Sequence, residues 1–236
     1  MSSSSDLIQN WKARGTRLDV PGTCGTYIWR EGTGPTVLCL HGVPASSFIY
    51  RKVLSSLAEL SLEGVAIDFP GLGLADKPAD FDYSWSGLAE WLLKAINAAA
   101  IDKFHLCVHD IGGPIGFDLI RRIPDRVLSL TILNSIIRVS KFTKPWIMRG
   151  FEVYGLGSAL VTAMDSPLII PFMRSQGVMT TPSNEELRAY GSLLVMNDGG
   201  KFIIYYLRKK DSYKLLRIIR GCFFENHEKF RDHSRV

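Results

Sequence analysis

FHLCVHDIGGPIGF, residues 104 to 117, contains the transition that decides the fold. Its first six residues form a short, nearly continuous apolar run, as expected of a strand buried on both faces. From Gly113 to about residue 122 the pattern is that of an amphipathic helix, which ends before Pro124. A side chain held up on so sharp a strand-to-helix turn needs small residues just beyond it, because the backbones crowd there. Gly112 and Gly113 meet that need, and the residue at the apex is Asp110. No G-x-S-x-G occurs anywhere in the chain. A carboxylate is already ionised at neutral pH and can displace a leaving group from saturated carbon without a base, forming an ester.

Working outward, TVLCLH (36 to 41), VAIDF (65 to 69) and LSLTILN (128 to 134) are further short apolar runs that read in the same way, as strands buried on both faces. Helical stretches at about 49 to 61 and 85 to 100 separate them. Strands alternating with helices at this spacing predict an α/β fold, a parallel sheet with helices on both faces. Residues 14 to 32 read as an antiparallel hairpin that precedes it. After Asn134 the alternation stops. Residues 137 to about 230 are rich in Met, Leu and aromatics, with breaks at Pro145, Pro167, Pro171, Pro182 and the pair Gly199 and Gly200. Two regions are therefore expected: a core over 1–136, and a helical cap with an atypical basic end over 137–236.

Ligands of an open parallel sheet bind beyond the carboxyl ends of its strands. Those ends carry His41-Gly42-Val43-Pro44, Pro70-Gly71-Leu72-Gly73 and Asp110-Ile111-Gly112-Gly113. The elbow geometry points the backbone N–H groups of Val43 and Ile111 to an oxyanion hole, with His41, Gly42, Pro44, Gly112 and Gly113 supporting the loops.

With 236 residues, 46% of them hydrophobic, the chain can bury a large core, which excludes a disordered tail, a disulfide mini-protein and a fibre. No apolar stretch reaches the length of a membrane span, and MSSSSDLIQNWK has no secretory h-region, so a cytoplasmic protein without stable membrane insertion is expected. Cys24, Cys39, Cys107 and Cys222 lie far apart, which implies no disulfide framework or metal knuckle. Residues 201–236 hold ten Lys/Arg against four Asp/Glu, and the first 200 residues hold 18 against 19. The net charge of +5 is thus confined to the C-terminal stretch, and the main body has no nucleic-acid footprint. No cofactor is implied: Gly71-Leu72-Gly73 lacks the third glycine of a dinucleotide loop, Asp76 standing in its place. No metal is implied either, since His109-Asp110 has no further ligand at the right spacing.

These motifs together resemble the α/β-hydrolase superfamily, and within it the aspartate-nucleophile branch of haloalkane dehalogenases and epoxide hydrolases. LHGVPASSFIYRKVL (40 to 54) is similar to the family's oxyanion loop, IDFPGLGLADKP (67 to 78) to its signature after the next strand, VHDIGGPIGF (108 to 117) to its nucleophile elbow, and IPDRVLSLTILN (123 to 134) to the strand that follows. The resemblance implies an α/β-hydrolase fold with a helical cap, a small-molecule substrate and Asp110 as nucleophile. It also implies an acid and a His after later strands. The chain ends at Val236, so the last two strands of the family's sheet are expected to be missing, and the strand at 128 to 134 to form an exposed edge.

Family dehalogenases place a Trp beside the nucleophile and an Asn or second Trp nearby to bind halide; here Ile111 and Val43 stand at those positions. Trp146 is a candidate donor from the cap. Epoxide hydrolases use two cap tyrosines, for which Tyr154 and Tyr190 lie in the right region, although Tyr205, Tyr206 and Tyr213 are near and spacing selects none. Asn134 stands where some relatives carry their acid, while His227 and His233 lie in a charged terminal stretch. The expected function is a haloalkane dehalogenase-like hydrolase acting through Asp110 on a small apolar electrophile. The alternatives are an epoxide hydrolase-like enzyme, or a catalytically incompetent truncated isoform or binding module with the same core.

Overall fold

The chain's computed structural model describes residues 3–137, 150, 153, 156–164, 166–175 and 182–198. Helix α1 (Ser4–Arg14) starts on a capping box: the Ser3 hydroxyl accepts the Asp6 N–H, and the Asp6 carboxylate accepts the Ser3 N–H. Lys12 and Arg14 in its last turn complement the helix dipole. In the sequence this capping pair goes unnoticed, because Ser3 stands among identical neighbours.

The predicted hairpin is β1 (Thr16–Leu18) with β2 (Thr26–Glu31), paired antiparallel with Thr16 opposite Ile28. The core strands are β3 (Thr36–Leu40), β4 (Glu63–Ile67), β5 (Phe104–Asp110) and β6 (Val127–Ser135). Between them run α2 (Arg51–Glu59), α3 (Trp85–Ala98) and α4 (Gly112–Arg122). The six strands form one sheet in the order β1-β2-β4-β3-β5-β6, in which β4, β3, β5 and β6 are mutually parallel. The predicted mostly parallel sheet with flanking helices is what the structure has.

Alternation along the strands sends side chains to two layers. Leu38, Leu40, Val65, Ile67, Phe104, Leu106 and Val108 pack with α3 and α4. On the other face, Trp29, Cys39, Ala66 and Cys107 pack with Trp11 of α1 and Leu54 of α2. Trp11 and Trp29 stack with ring centroids 4.6 Å apart, and the Trp29 indole N–H donates to the Trp11 carbonyl at 2.7 Å.

Beyond the sheet the described residues form α5 (Leu156–Ala163), α6 (Ile169–Ser175) and α7 (Asn184–Val195). Helix α7 packs against α1 and α6. It passes so close to the Met164 carbonyl that a Cβ on Gly191 would lie 1.9 Å from that oxygen. Its first turn is tied to α2: Glu186 pairs with Arg51 and, at 3.1 Å, with Lys52. Burial would raise the Glu186 pKa, but the Arg51 guanidinium, the Ser183 N–H and Lys52 outweigh it and hold the carboxyl at about 2. This tie is therefore present above the ordinary carboxylate range and is lost only as pH falls through about 2.

One expectation needs correction. The run that became β6 was read among strands buried on both faces, yet Leu128, Ile132 and Leu133 are exposed. Among the described residues β6 is the last strand of the sheet. No helix among the described residues is long and apolar enough to cross a membrane. The basic stretch at 201–236 lies outside the described residues.

Because Trp11 is buried and stacked, removing its ring empties the seam between α1 and the sheet. Trp11→Ala is expected to lower the unfolding free energy by about 3–5 kcal/mol, measured by denaturant titration.

Candidate active site

The carboxyl ends of β3, β4 and β5 converge, as the parallel sheet requires. At the end of β5 the chain reverses into α4 through Asp110, whose φ is +52°. A non-glycine residue held in that left-handed region stores strain on the order of 1–3 kcal/mol, which the surroundings must offset. Part of the hold comes from β3. The Val43 N–H donates to Asp110 Oδ1 at 2.8 Å, joining the loop after β3 to the elbow after β5.

That contact depends on two close approaches. A Cβ on Gly42 would fall 2.2 Å from the Asp110 Cβ and 2.4 Å from its Oδ1. On Gly112 it would fall 2.6 Å from the Leu40 carbonyl oxygen and 2.8 Å from that of His41. Glycine at both positions is thus a steric requirement of bringing two strand ends together, and the small residue expected two positions after the apex has its reason here. Gly113 faces β6, with Ser135 against it. Pro44 follows Val43 through a cis peptide bond and is exposed, whereas Ile111 is buried at the N-terminus of α4.

His41 is completely buried and uses both ring nitrogens on the backbone. Nε2 lies 3.1 Å from the Phe69 N–H and accepts from it, which leaves the proton on Nδ1 to donate to the Gly42 carbonyl at 2.9 Å. Burial pushes its pKa below the ordinary imidazole value, even though Asp68 Oδ1 stands 3.7 Å away and pulls the other way. The ring is a neutral strut between the loops after β3 and β4.

Asp68 joins these same two loops. It is buried just after β4, and its two oxygens accept the Ser47 N–H at 2.7 Å and the Leu74 N–H at 2.8 Å. Its carbonyl accepts the Thr26 hydroxyl at 2.6 Å. One carboxylate thereby fastens the loops that follow β3 and β4. Asp76 holds the far end of the second loop to β1 through a two-pronged pair with Arg17, at 2.9 and 2.7 Å. Asp118 lies on α4, paired with Arg121 and Arg122.

The remaining candidates separate. The Tyr190 hydroxyl accepts from Arg51 at 2.9 Å, and its ring meets Phe48 edge-on at 5.4 Å, so its contacts lie in the seam between α2 and α7. Trp146 and Tyr154, with Tyr205, Tyr206, Tyr213, His227 and His233, lie outside the described residues. His105 is hydrogen-bonded to the Ser129 hydroxyl at 2.8 Å, near the start of β5. His109 carries a buried Nδ1 without a partner among the described residues. Asn134, considered from sequence as the position of an acid, has a φ of +40° and shapes the backbone beside the elbow. Among the described residues no group of three or more His, Cys, Asp or Glu side chains could hold a metal.

Two outcomes follow. Gly42→Ala is expected to force the loop after β3 away from Asp110 and lower stability by about 1–3 kcal/mol in denaturant unfolding, with loss of the Val43 N–H bond visible in amide exchange. Since the folded pKa of His41 is depressed, the stability contributed by its neutral ring is present above the unfolded value near 6.5 and is lost as pH falls below it. NMR titration should show its ring unprotonated at pH 6.5, with protonation at lower pH accompanied by weakened folding.

Comparison with known proteins places this geometry. Residues 35–161 match the family model described as alpha/beta hydrolase fold. The chain is 36% identical over 150 residues to a cis-3-alkyl-4-alkyloxetan-2-one decarboxylase of Shewanella oneidensis, covering 59% of this chain and 45% of that protein. It is 28% identical over 199 residues to a haloalkane dehalogenase of Mesorhizobium japonicum, covering 80% and 63%. In fold it matches the crystal structure of an epoxide hydrolase from Vigna radiata with a TM-score of 0.69 at 19% identity, covering 88% of this chain and 75% of that one. The chain therefore spans only part of these two curated relatives, 45% of one and 63% of the other. With a six-stranded sheet, an elbow after β5 and a family match over more than half its length, the chain belongs to the alpha/beta hydrolase fold family.

Proposed function

We propose that Asp110 is the nucleophile of a hydrolase that opens small apolar electrophiles, alkyl halides first among them. The observation that carries this reading is the carboxylate standing on a left-handed elbow with Oδ1 engaged by the Val43 N–H. Held by that oxygen, the group keeps Oδ2 for attack. Oδ2 forms a bond to a saturated carbon, the carbon–halogen bond breaks, the halide leaves with the electron pair, and an aspartyl ester results. In the tetrahedral state that hydrolysis of this ester would form, the N–H groups of Val43 and Ile111 serve as oxyanion donors. Loss of one such donor is worth about 2.7–4 kcal/mol in other hydrolases. Helices α5 to α7 belong to a cap over the substrate in this reading, with Trp146 and Tyr154 as its candidate contacts, while Tyr190 is engaged by Arg51 and Phe48 instead.

A second substrate class has an observation in its favour. The side chains of Val43 and Ile111 carry no hydrogen-bond donor for a departing halide, whereas a strained ring keeps its leaving oxygen attached and needs no halide cradle. An epoxide is therefore the runner-up, and the likeness to an oxetanone decarboxylase adds a strained lactone to the compounds to test.

Hydrolysis of the ester also needs a base. His41 is committed to the backbone through both nitrogens and does not supply one. The covalent ester is thus the species to look for. Incubating the chain with a panel of 1-haloalkanes, terminal epoxides and a dialkyl oxetanone, followed by intact mass measurement and peptide mapping, should show one alkyl adduct on Asp110, absent in Asp110→Asn. An unmodified parent chain across the whole panel, with no turnover, would overturn the reading.

A further inference from the structure

We propose that Ser135 is a positioning residue that aims the Ile111 N–H at the Asp110 ester, a role that rests on the nucleophile reading above. The ladder between β5 and β6 runs in step from His105 opposite Ser129 to His109 opposite Leu133, and then slips so that Asp110 faces Ser135. The residue passed over is Asn134, in the left-handed region at φ +40°, a conformation that asparagine tolerates better than most residues. This bulge brings the Ser135 hydroxyl to the Asp110 carbonyl, to which it donates at 2.6 Å.

The consequence follows from the planarity of the peptide group. The Asp110 carbonyl and the Ile111 N–H belong to one rigid plane and point in opposite directions. A hydroxyl that fixes the first therefore fixes the direction of the second, the proposed oxyanion donor. Room for it exists because residue 113 is glycine: a Cβ there would fall 1.8 Å from Ser135 Oγ. The elbow is accordingly gripped from both neighbouring strands. The β3 side holds the carboxylate through Val43, and the β6 side holds the peptide plane through Ser135.

Oxyanion donors act most strongly once negative charge gathers on the carbonyl oxygen of a tetrahedral state, so the two chemical steps should respond differently. In the test, the Asp110 ester is formed with a 1-haloalkane or epoxide and then cleaved with hydroxylamine, which gives the aspartyl hydroxamate and the free alcohol; both steps are followed by intact mass. Ser135→Ala should slow hydroxylamine cleavage about tenfold or more while changing the rate of ester formation less than about threefold. Ser135→Thr, which keeps the hydroxyl, should restore cleavage. Equal slowing of both steps, or no change in cleavage, would overturn the proposal.

The Ile111 amide gives a readout independent of reactivity. Its proton resonance should shift in Ser135→Ala and return in Ser135→Thr, and an unchanged resonance in both variants overturns the role of Ser135. Failure of the parent chain to form any ester removes the nucleophile reading, and the amide resonance then decides separately whether Ser135 orients this plane.

Discussion

The approach of two strand ends to within a hydrogen bond of each other is the constraint on which the rest of this molecule depends. For Val43 to reach the Asp110 carboxylate, the backbones after β3 and β5 must lie closer than any side chain at Gly42 or Gly112 would allow. The same closeness forces Asp110 into a left-handed conformation, and a strained residue persists only where its neighbours over-determine it. Those neighbours are numerous. His41 ties the loop after β3 to the one after β4, Asp68 fastens both from below, and Ser135 closes on the elbow from β6.

This arrangement separates holding from reacting. His41 and Asp68 are both buried and titratable, side chains that in many enzymes would be candidates for proton transfer, yet each spends its hydrogen-bonding capacity on backbone groups. Asp110 is less enclosed and has one oxygen engaged by the backbone. In the proposed reading, chemistry falls to that one carboxylate, while the polar groups around it supply rigidity. Pre-organisation of this kind matters because donors already aimed at a site need no reorganisation when charge develops there.

The helices beyond the sheet are attached by other means. The Arg51, Lys52 and Glu186 cluster joins α7 to α2, and the Trp11–Trp29 stack seats α1 against the face on which α7 also packs. The sheet itself is unevenly covered. Its central strands are enclosed on both faces, whereas β6 presents Leu128, Ile132 and Leu133 at its surface. A run of apolar residues is the same on paper whether a strand is central or at an edge, so the composition of β6 alone does not show that these side chains are exposed.

The sequence by itself determined the local features: the strands and helices of the core, the elbow with its two glycines, and Asp110 as the residue on display. These rest on period, turn chemistry and steric crowding, which act between residues close in the chain. It did not reveal α1, where the capping pair is hidden in a serine run, nor that Asp68 meets the Ser47 N–H 21 positions away and Ser135 the Asp110 carbonyl 25 positions away. Tertiary structure decided those, along with the register slip at Asn134 that delivers the Ser135 hydroxyl. A hydroxyl or carboxylate acquires its role from the backbone groups it meets, and only the folding of distant strands side by side determines which groups those are.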